Sequence, residues 1–187
     1  MLLAGSSNLG GMMANEKKQS VLVDTSFLIT LYAAKTGDGE RKNHSVAKKY
    51  FKYFLENSMH LILSTIVISE FQQMQPVVDL INSGNYVTLP YNYDDAIATA
   101  EVAYNVDGVI RGSGRAEFKD DLKLMGQVKA QNIDFIITED DSTLVKYCKK
   151  LIKAGMFKTK IILLKDGFDD SHFANGQKSL LDETNPS

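Results

Sequence analysis

Val21-Leu22-Val23 is an unbroken apolar run that stops at Asp24-Thr25-Ser26, and a second apolar run, Phe27-Leu28-Ile29, follows at once. A run that short, with no polar alternation, reads as a strand covered on both faces, which belongs in a parallel sheet. The acid and the hydroxyls then read as a cap, with a helix from about Phe27 to Ala34. Similar strand stretches follow at residues 60–63, 86–89, 134–138 and 161–164. Helical patterns separate them, at 44–55, 66–75, 77–82, 92–104, 118–131 and 141–154. Strands alternating with helices specify an α/β fold whose central, mostly parallel sheet has helices on both faces.

The length of 187 residues suits one domain with a substantial core. Residues 1–19, rich in Gly, Ser and Asn, are expected to be a disordered extension, native or artificial. The domain proper is expected over 20–165, and 166–187 is polar and aperiodic, a tail. Residues 36–39 read as a loop, and Gly108, Gly112 and Gly114 mark a flexible one. A formal charge of -2 lacks the basic balance of a strong nucleic-acid binder, though a local basic surface is compatible with it. One cysteine, Cys148, excludes internal disulfides and zinc clusters. No apolar run reaches the ~20 residues of a membrane span, and no signal peptide is recognisable, so the expected location is cytoplasmic.

The chemistry lies in carboxylates. Asp24 and Asp140 each stand just past the end of an apolar strand, where open α/β sheets bind ligands. Asp140 belongs to Thr138-Glu139-Asp140-Asp141-Ser142, where acids also suit a helix start. Glu70 shares a ridge with Ile66 and Met74, and a carboxylate on an apolar face is costly unless paired or bound to a cation. Asp121 shares a ridge with Met125 and Val128 and points to the core side, while Asp120 reads as a first-turn residue favoured by the helix dipole. Gly126, unfavourable in a helix, suggests close packing against the sheet. Four acids at one sheet end would repel unless some protonate or recruit a hard cation. Mg²⁺ or Mn²⁺ suits oxygen ligands and phosphodiester hydrolysis.

These residues resemble the PIN domain, a nuclease fold found in the toxins of many toxin–antitoxin pairs. Four segments carry the resemblance in order: Val21-Leu22-Val23-Asp24-Thr25-Ser26, Leu63-Ser64-Thr65-Ile66-Val67-Ile68-Ser69-Glu70, Asp121-Leu122-Lys123-Leu124-Met125-Gly126 and Ile136-Ile137-Thr138-Glu139-Asp140. The resemblance implies an α/β/α sandwich with Asp24, Glu70, Asp121 and Asp140 gathered around one or two Mg²⁺ or Mn²⁺ ions. It also implies single-stranded RNA as substrate, an antitoxin protein as partner, and a homodimer. Ser26 would position water or support Asp24, and Thr138 would brace Asp140. The chain departs from the pattern in its length and in Asn132, where the family often has glycine. The doubled acids Asp120–Asp121 and Asp140–Asp141 leave two assignments open.

Alternatives are a non-toxin PIN nuclease in RNA processing or quality control, and a catalytically silent PIN-like binding module. A phosphate-transfer receiver domain would need an acid pair after the first strand, where Asp24 stands alone. His44, His60 and His172 have no partner at metal or triad spacing and read as structural or solvent-facing. Cys148 reads as ordinary, and Lys48, Lys49 and Lys52 as a solvated helix face. Tyr91, Tyr93 and Tyr104 read as packing residues, with base stacking the alternative.

Overall fold

The computed structural model describes residues 18–33, 35–36, 39–106 and 118–174. Five strands form one all-parallel sheet in the order β5-β4-β1-β6-β7: β1 is Ser20–Val23, β4 His60–Ser64, β5 Tyr86–Leu89, β6 Phe135–Thr138 and β7 Lys160–Leu163. A separate two-stranded hairpin, β2 (Lys35–Thr36) and β3 (Gly39–Glu40), occupies much of the expected 36–39 loop. The helices are α1 (Thr25–Tyr32), α2 (His44–Glu56), α3 (Thr65–Phe71), α4 (Val78–Asn82), α5 (Tyr93–Val106), α6 (Phe118–Gln131) and α7 (Thr143–Lys153). The α/β sandwich expected from the alternation is therefore present. The loop expected at 107–115, residues 1–17 and residues 175–187 lie outside the described residues.

β1 is the central strand, and its apolar run is fully covered. Val21, Leu22 and Val23 have no exposed surface, and Leu22 aligns with Ile62 on one side and Ile136 on the other. The connections run outward from β1 to β4 and β5, then return to β6 and β7 on its other side. The strand order thus reverses beside β1, and the ends of β1 and β6 border the crevice where such sheets bind ligands.

Three details differ from the sequence reading, and a fourth explains a departure it noted. Helix α1 begins at Thr25 rather than Phe27, with Asp24 as its cap, because the backbone turns directly after Val23. Gly126 packs not on the sheet but on α5: a Cβ there would lie 2.0 Å from Thr99 Oγ1 and 2.9 Å from the Asp95 carbonyl oxygen. Asn132 adopts φ +49°, a left-handed conformation that Asn tolerates better than most side chains, which accounts for its standing where glycine is usual. Residues 166–174, expected to open the tail, pack on the domain instead. Phe173 is buried and stacks on Tyr53 at 4.9 Å, while the Tyr50 hydroxyl donates to the Gly167 carbonyl at 2.9 Å. Aromatic rings bury much apolar area per residue, so two rings anchor a segment that is otherwise polar.

Candidate active site

Asp24 is buried at the carboxyl end of β1, and one of its oxygens is held by three donors. Oδ2 accepts from the Ser26 hydroxyl at 2.6 Å, the Thr138 hydroxyl at 2.8 Å and the Ser26 amide at 3.4 Å. Ser26 reaches this position from the first turn of α1, and Thr138 from the last residue of β6. Their oxygens also accept backbone amides: Glu139 N lies 2.9 Å from Ser26 Oγ, and Asp140 N 3.0 Å from Thr138 Oγ1. The two hydroxyls thus tie the first acid to the backbone carrying the fourth. Satisfied on one side, Asp24 has its orientation set by neighbours that are themselves fixed.

Glu70 is half-buried on α3 and accepts a hydrogen bond from the Thr25 hydroxyl. Burial holds its carboxyl above the usual range, with the charges of Asp24 and Asp120 adding to the effect, while Thr25 and Lys123 oppose it. The ridge expected to place it is only half present. Ile66 is buried, but α3 ends at Phe71 and Met74 is 63% exposed. The tie to Thr25, not an apolar stripe, positions Glu70.

Asp121 lies on α6 beside buried Met125 and Val128, as its ridge predicts. Burial pushes its carboxyl up to about 7, and the charges of Asp24, Asp140, Glu70 and Asp120 push the same way. Like charges disfavour ionisation when they are near. Asp121 thus feels the charges of the other three acids picked out in the sequence, Asp24, Asp140 and Glu70. Asp140 is exposed, and its Oδ1 accepts the Ser142 amide at 2.8 Å, so it also caps the turn into α7.

The donor set consists of carboxylate and hydroxyl oxygens, without imidazole or thiolate, which suits a hard divalent cation. Asp121, raised by burial and then by the charges of its fellow acids, is a group whose repulsion such a cation would relieve. Among the described residues, no three or more His, Cys, Asp or Glu side chains are already arranged to hold a metal ion. The acids share a field at longer range, with Glu70 and Asp140 each engaged in a hydrogen bond of its own.

The remaining candidates resolve into structural roles. His44 is buried, and its Nδ1 bonds the Thr30 carbonyl at 2.8 Å. Cys148 is buried, and its thiol is pushed up to about 12 by burial and by the charges of Asp121 and Asp24. Tyr91 packs, donating to Thr99 Oγ1 at 3.0 Å, whereas Tyr93 and Tyr104 are exposed, contrary to expectation. Sequence reading missed Thr25 as the partner of Glu70. It also missed Glu139, whose carboxylate accepts from Asn43, Arg41 and Thr30.

No protein-family model matches the chain, and no curated protein shows significant similarity to it. Among solved structures it is similar to VapBC2 from Rickettsia felis bound to a DNA fragment from its promoter, with 13% identity and a TM-score of 0.51. That match covers 76% of this chain and 98% of the other. The two share a fold. VapBC from Salmonella typhimurium bound to DNA (11% identity, TM-score 0.47) and FitAcB from Neisseria gonorrhoeae (11%, 0.48) overlap less closely. Each of these covers 78% of this chain and 98% of its counterpart. No described helix is long and apolar enough to cross a membrane.

Proposed function

We propose that the chain is a PIN-type endoribonuclease, dependent on Mg²⁺ or Mn²⁺, that hydrolyses phosphodiester bonds of single-stranded RNA. The observation that carries this reading is the buried carboxylate of Asp24, clamped by the Ser26 and Thr138 hydroxyls at the carboxyl end of a parallel sheet, and the raised carboxyl of Asp121, which feels its charge, supports it. Asp24, Asp121 and Asp140 would hold the cation, with Glu70 either a further ligand or the group that orients the attacking water. When bound, it supplies charge neutralisation for the phosphate and a lower pKa for attacking water.

The chain's own residues divide the remaining work. Ser26 and Thr138 lock one oxygen of Asp24, so that its other oxygen would be the one to meet the cation. Thr25 holds Glu70 where it can accept a proton from a water molecule poised for attack, and the raised affinity of Glu70 for protons favours that role. Asp121 returns to its charged form when its repulsion is relieved.

The likeness to the VapBC2 complex, whose VapC subunit is a PIN domain, supports the toxin half of a toxin–antitoxin pair as the biological role. An antitoxin covering the acidic cleft and a homodimer belong to the same reading. The chain exceeds the part matched by that complex, which favours as a second reading a non-toxin PIN nuclease in RNA processing.

The test is incubation of the purified protein with unstructured RNA in Mn²⁺ or Mg²⁺, then in EDTA, beside Asp24→Asn. Metal-stimulated cleavage lost in Asp24→Asn supports the reading, and cleavage that persists unchanged in that variant sinks it. Growth arrest on expression, relieved by Asp24→Asn, separates toxin from processing enzyme.

A further inference from the structure

The acids flanking the site acids in sequence are employed differently. Asp120 precedes Asp121, and Lys123 Nζ lies 2.7 Å from its Oδ1. Glu139 precedes Asp140 and holds Arg41 Nη2 at 3.4 Å, while Arg41 Nε donates to Thr30 at 3.2 Å. Asp141 follows Asp140 and pairs with Lys165. The three cations come from separate parts of the chain: the segment before α2, the second turn of α6, and the 3₁₀ turn Leu164–Asp166 after β7. All are partly exposed, with 29%, 42% and 46% of the Arg41, Lys123 and Lys165 side chains accessible.

An acid cluster in a chain of charge -2 repels a polyanion unless cations stand beside it. Exposed ion pairs are weak, so a phosphate can take the place of the acid in each of them. The pairing meanwhile holds each long side chain at the sheet end, and the guanidinium of Arg41 keeps a planar fork suited to phosphate oxygens. We propose that Arg41, Lys123 and Lys165 form a three-point rest for the phosphate backbone of single-stranded RNA, each cation kept in place by the acid next to a site acid. This rests on the ribonuclease reading for its substrate, and on the paired geometry for its residues.

The experiment measures binding of a short, unstructured, fluorescein-labelled oligoribonucleotide by anisotropy across a salt series. Asp24→Asn in Mg²⁺ is the background, so that cleavage does not intervene. Arg41→Ala, Lys123→Ala and Lys165→Ala each weaken binding and flatten the log–log salt slope by about 0.7, the share of one single-strand phosphate contact. Arg41→Lys keeps the slope, which separates loss of charge from loss of a structural brace. Lys158→Ala, at the opposite end of β7, leaves both affinity and slope unchanged.

Slopes unmoved in all three alanine variants, an equal effect from Lys158→Ala, or no RNA binding by the background protein overturns the proposal. RNA bound through these residues but never cleaved by the parent chain sinks the catalytic reading and leaves this one standing. Cleavage by the parent with unmoved slopes does the reverse.

Discussion

The hydroxyl of Thr138 lies 2.8 Å from Oδ2 of Asp24, a bond that crosses from the last residue of β6 to the first position beyond β1. Thr138 accepts the Asp140 backbone amide through its oxygen at 3.0 Å, while its proton goes to Asp24. Replacing it with Val removes the donor and leaves a buried carboxylate oxygen one partner short. Thr138→Val is expected to cost ~1–3 kcal/mol in urea unfolding and to reduce RNA cleavage without abolishing it. Asp24→Asn, which keeps an acceptor in place, is expected to abolish cleavage with a smaller loss of stability.

Asp121 makes the stability of the metal-free protein depend on pH. Its carboxyl sits at about 7 in the fold against an ordinary 3.8, so between these values the folded state binds more protons than the unfolded chain. Unfolding free energy therefore falls as pH rises through that window. Because the group is partly solvated, the loss is expected to be roughly 1–2 kcal/mol rather than the full value of the shift. Asp121→Asn flattens this part of the profile and raises the Tm of the metal-free protein at pH 8. A profile unchanged by the substitution would show that the Asp121 carboxyl is not raised in the fold.

Divalent metal is expected to reverse the same repulsion. Mn²⁺ at a hundredfold excess over its Kd contributes ~2.7 kcal/mol to stability, visible as a rise of several degrees in Tm at pH 8. At pH 5, where Asp121 is protonated and binding must displace the proton, the rise shrinks. EDTA returns Tm to the metal-free value, and Asp24→Asn abolishes the rise.

Gly126→Ala tests the contact between α5 and α6. The added methyl would sit 2.0 Å from Thr99 Oγ1 and 2.8 Å from the Thr99 amide nitrogen, and a backbone cannot yield as a side chain can. Overpacking of this kind costs ~1–3 kcal/mol, although alanine is intrinsically the better helix former. Calorimetry showing an unchanged or higher Tm would contradict the observed packing.

Phe173→Ala tests whether the segment after β7 belongs to the domain. A buried ring stacked on Tyr53 and edge-on to Phe54 and Phe135 is expected to cost ~3–5 kcal/mol on removal. A free polar tail would show no change.

The sequence by itself determined the strands, the alternation with helices, and the placing of an acid after β1 and after β6. These are local properties: short β-branched runs cannot remain solvated, and capping residues mark where each run must turn. It also singled out Asp121 over Asp120, because helical spacing puts residue 121 above Met125 and Val128. Only the tertiary structure decided how the acids are held. Ser26 and Thr138 are separated by 112 positions and meet only because β1 and β6 are neighbours in the sheet. The tertiary arrangement also gives Glu139 and Asp141 their cations, Arg41 and Lys165, from distant parts of the chain. Thr25 holding Glu70, and Phe173 reaching the rings of α2, are likewise contacts between distant positions. A local pattern states which residues must be covered or capped. Which distant side chain does the covering follows from the arrangement of the strands, and that is a property of the whole fold.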